Sequence, residues 1–124
     1  LRLAPTDEVV RISRLRLADD APMCLENVHL PASRVPGLLE ADLSGSLYRL
    51  LSERYQVEIH RAEQVVRAVD LDETRALLLG VPVGGAGLHV ERVGLDQRDR
   101  PVEATTTTYR ADRYEVRFTV RRMP

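Results

Sequence analysis

The chain has 124 residues and a mass of 14.0 kDa, with 44% hydrophobic and 30% charged residues, which suits one compact domain with its own core and is too short for two. Its 18 basic and 19 acidic residues leave a net charge of -1, which argues against a nucleic-acid surface spread over the chain. All the basic residues are arginines, and the only aromatics are Phe118 and four tyrosines, too few for a stacking platform that would hold single-stranded nucleic acid or unphosphorylated sugars. A lone Cys24 excludes an intramolecular disulfide and a cysteine metal cluster, and His29, His60 and His89 have no metal-ligand spacing, so neither a metal nor a cofactor is expected. The same cysteine usage fits a reducing, cytoplasmic setting. No apolar run approaches the roughly 20 residues that cross a bilayer, so no membrane contact is expected, and the opening residues lack both an initiator Met and a signal-peptide core. The chain reads as a piece of a longer protein, with residues 1–7 as a linker remnant and residues 8–124 as the domain.

In chain order, residues 8–17 alternate as a strand, the Asp19-Asp20 pair before Pro22 signals a turn, and residues 23–30 form a second strand, together a hairpin. A turn-rich stretch carrying Leu38, Leu39 and Leu43 leads to Leu47, Leu50 and Leu51 at helical spacing, which predicts a helix over residues 45–55. Residues 58–69 read as a long strand. Asp70-Leu71-Asp72-Glu73 then offers N-caps for a short helix through Ala76 to Leu79, stopped by Gly80 and Pro82. Residues 88–95, 102–109 and 114–122 complete a meander, the last with Tyr114, Val116, Phe118 and Val120 on one side and Glu115, Arg117, Thr119 and Arg121 on the other. Six strands and two or three helices, with strands mostly adjacent in sequence, make an α+β domain on a largely antiparallel sheet.

Strand alternation puts Arg14 and Arg16 on one face with Val10 and Ile12, roughly 6.6 Å apart, and two planar donor forks pointing the same way suit a phosphate or carboxylate. The same letters also describe a solvated edge with cross-strand ion pairs. Glu26 shares a face with Cys24, Val28 and Leu30, where a carboxylate needs a partner, either Arg14 or Arg16 or a donor on a ligand. Ser46 opens the leucine helix beside unpaired amides, a place to touch a phosphate or simply to cap the helix. Glu103, Thr105, Thr107 and Tyr109 share one strand face as a hydrogen-bonding wall, although four consecutive threonines also make an ordinary edge strand. No nucleophile, base and orienting group fall together, no glycine-rich phosphate loop is present, and Cys24 on an apolar face reads as a buried thiol, so no catalytic residue is expected.

Taken in order, the segment Arg14-Leu15-Arg16-Leu17-Ala18-Asp19-Asp20-Ala21-Pro22, then Glu26-Asn27-Val28-His29-Leu30-Pro31, then Ser46-Leu47-Tyr48, then Arg100-Pro101-Val102-Glu103 and Tyr109-Arg110-Ala111-Asp112-Arg113-Tyr114 closely resemble a UTRA domain. That is the effector-binding half of bacterial transcription regulators in the HutC branch of the GntR family. The resemblance covers residues 8–122 and implies a chorismate-lyase-like α+β fold, a small-molecule pocket, homodimerisation and a winged helix-turn-helix DNA-binding domain outside this chain, through which alone operator DNA would be contacted. It also implies an anion held by Arg14, Arg16 and Ser46, with Glu26, Glu103 and Tyr109 around the rest of the ligand. These positions coincide with those picked out by strand alternation, which adds Thr105. The expected function is a sensor of a small anionic metabolite such as a phosphorylated sugar or organic acid. The alternatives are a dimerisation module with a vestigial pocket and a small lyase-like enzyme.

Overall fold

The computed structural model describes residues 7–122; the expected linker at residues 1–7 therefore lies, apart from Asp7, outside the described residues. Among them, five strands and two α-helices follow in the order β1 (Val9–Ala18), β2 (Ala21–Pro31), α1 (Leu47–Tyr55), β3 (Arg61–Asp70), α2 (Glu73–Leu79), β4 (Ala86–Leu95) and β5 (Pro101–Arg110), with two short 3-10 turns between β2 and α1. Every strand pairing is antiparallel, in the order β1-β2-β5-β4-β3, so the α+β expectation holds. The β1–β2 hairpin turns on Asp19 and Asp20 at φ +49° and +61°. Two successive positive φ values match the right-handed twist of a two-residue hairpin, and aspartate tolerates that conformation better than most residues.

The two helices cover opposite faces of the sheet. Leu47 and Leu51 of α1 bury against Ile12, Val28, Leu30 and Val102 with Val35, Leu38 and Val57 from the connections, which forms the larger core. This is the face that carries Arg14, Arg16, Cys24 and Glu26, because they share the side-chain parity of Ile12 and Val28. On the other face, Leu71, Ala76 and Leu79 around α2 pack with Leu25. Asp72 caps α2 by accepting from the Arg75 amide at 2.8 Å, and Gly80 at φ +70° ends it in the left-handed conformation.

The sixth strand expected at residues 114–122 is not formed. These residues lie outside the sheet, and Val116, Phe118 and Val120 are exposed. The reason is topological: β5, to which a continuing meander would add, is the central strand, and β2 and β4 already occupy both its edges. Alternation marks a segment able to pair, but pairing also needs a free neighbour.

Candidate functional site

The start of α1 faces the hairpin end of the sheet across a cleft of about 350 Å³, lined by Arg14, Arg16, Glu26, Val28 and the run from Ser44 to Tyr48. That volume falls at the small end of the range typical of small-molecule pockets. Four of the residues expected from sequence, Arg14, Arg16, Glu26 and Ser46, thus meet in one place.

Their internal bonds are specific. Arg14 donates from Nε and Nη2 to Glu26 Oε1 at 3.1 and 2.6 Å, directly across the β1–β2 ladder. Arg16 Nη1 stands 3.9 Å from the same oxygen, with half of its side chain exposed. Two guanidinium groups against one carboxylate leave a net positive charge at the mouth. Ser46 is the N-cap of α1, accepting from the Arg49 amide at 3.3 Å, so the capping reading of this serine is realised. The first amides of the helix lie on the same cleft and add their partial positive charge to that of the arginines.

Glu103 and Thr105 do not line the cleft but lie inward of it. Glu103 is completely buried, accepts from Thr105 Oγ1 at 2.6 Å and from the Tyr48 hydroxyl at 3.3 Å, and lies 3.1 Å from Arg92 Nε. Arg92 Nε makes no hydrogen bond, so its contact with that carboxylate is an ion pair without one. Tyr48 joins the two clusters, because it lines the cleft and its hydroxyl reaches Glu103. Its ring also carries the Arg92 guanidinium 5.3 Å from the centroid. Burial, and then the Glu103 charge, push the Tyr48 phenol up to about 12. Sequence reasoning quoted Tyr48 without assigning it a role and passed over Arg92. The available signals were an aromatic two residues after a helix cap in a chain poor in aromatics, and an arginine on the ladder row of Thr105.

Tyr109 is on the expected face, in register with Cys24 of β2, but its ring stacks on Tyr114 with centroids 3.8 Å apart, and it does not line the cleft. Cys24 is buried, and burial followed by the Glu26 charge pushes its thiol up to about 11 against the opposing pull of Arg16 and Arg14. At about pH 8, iodoacetamide is therefore expected to modify Cys24 only when the protein is unfolded. The fold favours the neutral thiol, so this contribution to stability is complete below the ordinary value of 9.0 and is lost as pH rises through about 11. Among the described residues no group of histidine, cysteine and acidic side chains could hold a metal ion, and no helix is long and apolar enough to cross a membrane.

Comparison with known proteins gives a consistent family. The model of the UTRA domain matches residues 1–115. The chain is similar to the HTH-type transcriptional repressor NagR of Bacillus subtilis strain 168, with 31% identity over 104 residues that make up 84% of this chain and 43% of that protein. It thus spans under half the length of this curated relative. Among solved structures it is similar to a GntR-family transcriptional regulator from Enterococcus faecalis V583, at 31% identity and TM-score 0.88, covering 97% of this chain and 86% of that one. It is also similar to the effector domain of PhnF from Mycobacterium smegmatis, at 31% identity and TM-score 0.80, covering 85% of this chain and 65% of that one.

Proposed function

The chain belongs to the UTRA domain family, and from that premise we propose that it is the effector-binding and dimerisation part of a cytoplasmic GntR-type transcriptional regulator that senses a small anionic metabolite, a phosphorylated sugar or an organic acid. The observation that carries this reading is the pair of guanidinium groups of Arg14 and Arg16 facing the start of α1 across one cleft. An anion entering there meets the exposed fork of Arg16, the amides of the first helical turn and the Ser46 hydroxyl. Arg14 joins it by sharing its donors between the anion and Glu26. Glu26 then stands beside the anion as an acceptor for hydroxyl or amine groups on the ligand. The Tyr48 hydroxyl, held by Glu103, closes the inner end, with Thr105 behind it and Tyr109 at the margin. No residue here performs a reaction; the site binds.

Binding would bias the arrangement of two copies and so the spacing of DNA-binding regions attached outside this chain, by no more than the difference in ligand affinity between the two arrangements. Thermal denaturation with glucose 6-phosphate, citrate, inorganic phosphate and glucose tests the reading. At a free concentration about 100 times the dissociation constant, an anion that binds adds roughly 2.7 kcal/mol, a rise of about 10 °C in midpoint for a domain of this size. A rise of equal size with uncharged glucose would overturn the anion site. A second reading, a dimerisation module with a vestigial pocket, draws on the 2.6 Å pairing of Arg14 with Glu26 and on the Ser46 cap, which satisfy these groups internally. Its signature is a dimer whose midpoint no anion moves.

A further inference from the structure

The end of the sheet away from the β1–β2 hairpin holds a second pocket, of about 290 Å³, which the sensing role leaves unused. Three connections build it: the 3-10 turn after β2 supplies Arg34, the exit of α1 supplies Gln56 and Glu58, and the β4–β5 turn supplies Asp96, Arg98 and Arg100. Asp96 organises the pocket. It is only 7% exposed, a depth at which a carboxylate needs its acceptors filled. Its Oδ1 accepts from the Arg98 and Arg100 amides at 2.9 and 3.0 Å, which closes the turn, and its Oδ2 accepts from Arg100 Nε at 2.9 Å. The Arg100 amide above all holds this carboxyl below its ordinary range, so it stays charged at neutral pH.

The guanidinium groups are not used up by that carboxylate. Arg100 spends Nε on it and keeps both Nη groups. Arg34 Nη1 comes no nearer than 3.8 Å, beyond hydrogen-bond distance. The Arg98 guanidinium meets no acceptor among the described residues, since only its amide is bonded. The other acidic group on the pocket, Glu58, is exposed and accepts from the Ser52 hydroxyl at 3.1 Å. Three positive charges on the lining therefore face two negative ones, and the excess is carried on donors without acceptors.

We propose that this pocket is a second anion site, separate from the cleft, which takes a compact multivalent phosphate ion on the Nη groups of Arg34, Arg98 and Arg100. Planar donor forks match phosphate oxygens in pairs, and Asp96 holds one of the three forks in place before any ligand arrives. The volume lies just below the range usual for small-molecule pockets, which suits an ion better than a metabolite with a large carbon scaffold. The C-terminal end of α1 carries a partial negative charge, so the arginines alone must supply the attraction. The two sites stand at opposite ends of that helix: Ser46 caps it at the cleft, and its C-cap Gln56 lines this pocket. Nine helical residues put them about 13 Å apart, more than a Debye length at physiological salt. Two anions can therefore bind independently. The proposal does not depend on the sensing role.

Titration calorimetry of the 124-residue chain with sodium pyrophosphate tests this, beside the double variants Arg34→Ala with Arg98→Ala and Arg14→Ala with Arg16→Ala. The expected result is two equivalents bound by the parent and one by each variant. Arg98→Ala alone, which removes no bond within the protein, is expected to weaken the second equivalent by about tenfold or more without changing the circular dichroism spectrum. A stoichiometry and affinity left unchanged by Arg34→Ala with Arg98→Ala overturns the pocket, whatever the cleft does. A single equivalent that survives loss of Arg14 and Arg16 but not of Arg34 and Arg98 upholds the pocket and removes the cleft instead. No binding by the parent overturns both. A short DNA duplex that displaces pyrophosphate from the Arg14→Ala, Arg16→Ala variant would make the ligand a backbone phosphate and overturn the assignment to a free ion.

Discussion

Arg14→Ala is expected to weaken binding of a phosphorylated sugar by about a hundredfold or more while lowering the midpoint of the unliganded protein by only a few degrees. The two effects differ because the arginine faces different competitors in each state. Without ligand, Arg14 pairs with Glu26, and their side chains remain 20% and 17% exposed, so water screens part of the attraction. Removing it leaves Glu26 beside Arg16, already 3.9 Å away and flexible enough to close in. The net loss is then about 1 kcal/mol, or roughly 4 °C for a domain of this size. With an anion bound, the planar fork of Arg14 is one of two that the cleft supplies, and losing a charge-assisted contact in a partly desolvated site costs about 3 kcal/mol, a factor above a hundred. Arg14→Lys keeps the charge but loses the fork, and should fall between parent and alanine variant. Titration calorimetry with glucose 6-phosphate reads both; an alanine variant that binds as tightly as the parent removes Arg14 from the site.

Local patterns were legible in this sequence wherever one residue's neighbours decide its conformation. The Asp19-Asp20 turn, the leucines of α1 and the Asp72 and Gly80 punctuation of α2 all stand where residue type predicts them. The common face of Arg14, Arg16 and Glu26 followed from a period of two, and register then put Arg14 opposite Glu26. Long-range order was less accessible. Nothing local to residues 114–122 reveals that β5 is already flanked on both sides, so a segment with clean alternation was read as the next strand of a meander whose last strand has no free edge. The same limit applies to the site. Glu103, Thr105 and Tyr109 share a strand face with the cleft, but depth within the fold separates them: Glu103 is sealed beneath Tyr48 and Tyr109 is drawn to Tyr114. Tyr48 and Arg92 enter only through contacts between elements far apart in sequence.

Glu103 is where the fold and the site depend on each other most, and Glu103→Ala is expected to lower stability by about 3 kcal/mol, or roughly 11 °C in midpoint. The carboxylate is fully buried, and its position is shaped by Gly94 across the ladder, where an added Cβ would come within 2.8 Å of Glu103 Cγ. Deleting it takes the acceptor from the Thr105 and Tyr48 hydroxyls and the counter-charge from Arg92. The cost falls at the low end for a broken buried pair because the Arg92 side chain is 31% exposed and can turn to water. Glu103→Gln keeps the volume and one acceptor oxygen, and should lose less than half as much. It also separates structure from electrostatics through Tyr48. In the parent, burial first and the Glu103 charge second raise that phenol from 10.0 to about 12, so the fold favours the protonated ring. The corresponding stability is complete below pH 10.0 and disappears as pH rises through about 12. Removing the charge while keeping the shape leaves burial, with a smaller contribution from the Glu26 charge, to raise the phenol against the pull of Arg92. Absorbance titration should therefore show one tyrosine ionising at lower pH in Glu103→Gln than in the parent, with the alkaline loss of stability correspondingly smaller. An unchanged titration would mean that the Tyr48–Glu103 contact does not persist in solution and that the inner wall of the cleft is held by packing alone.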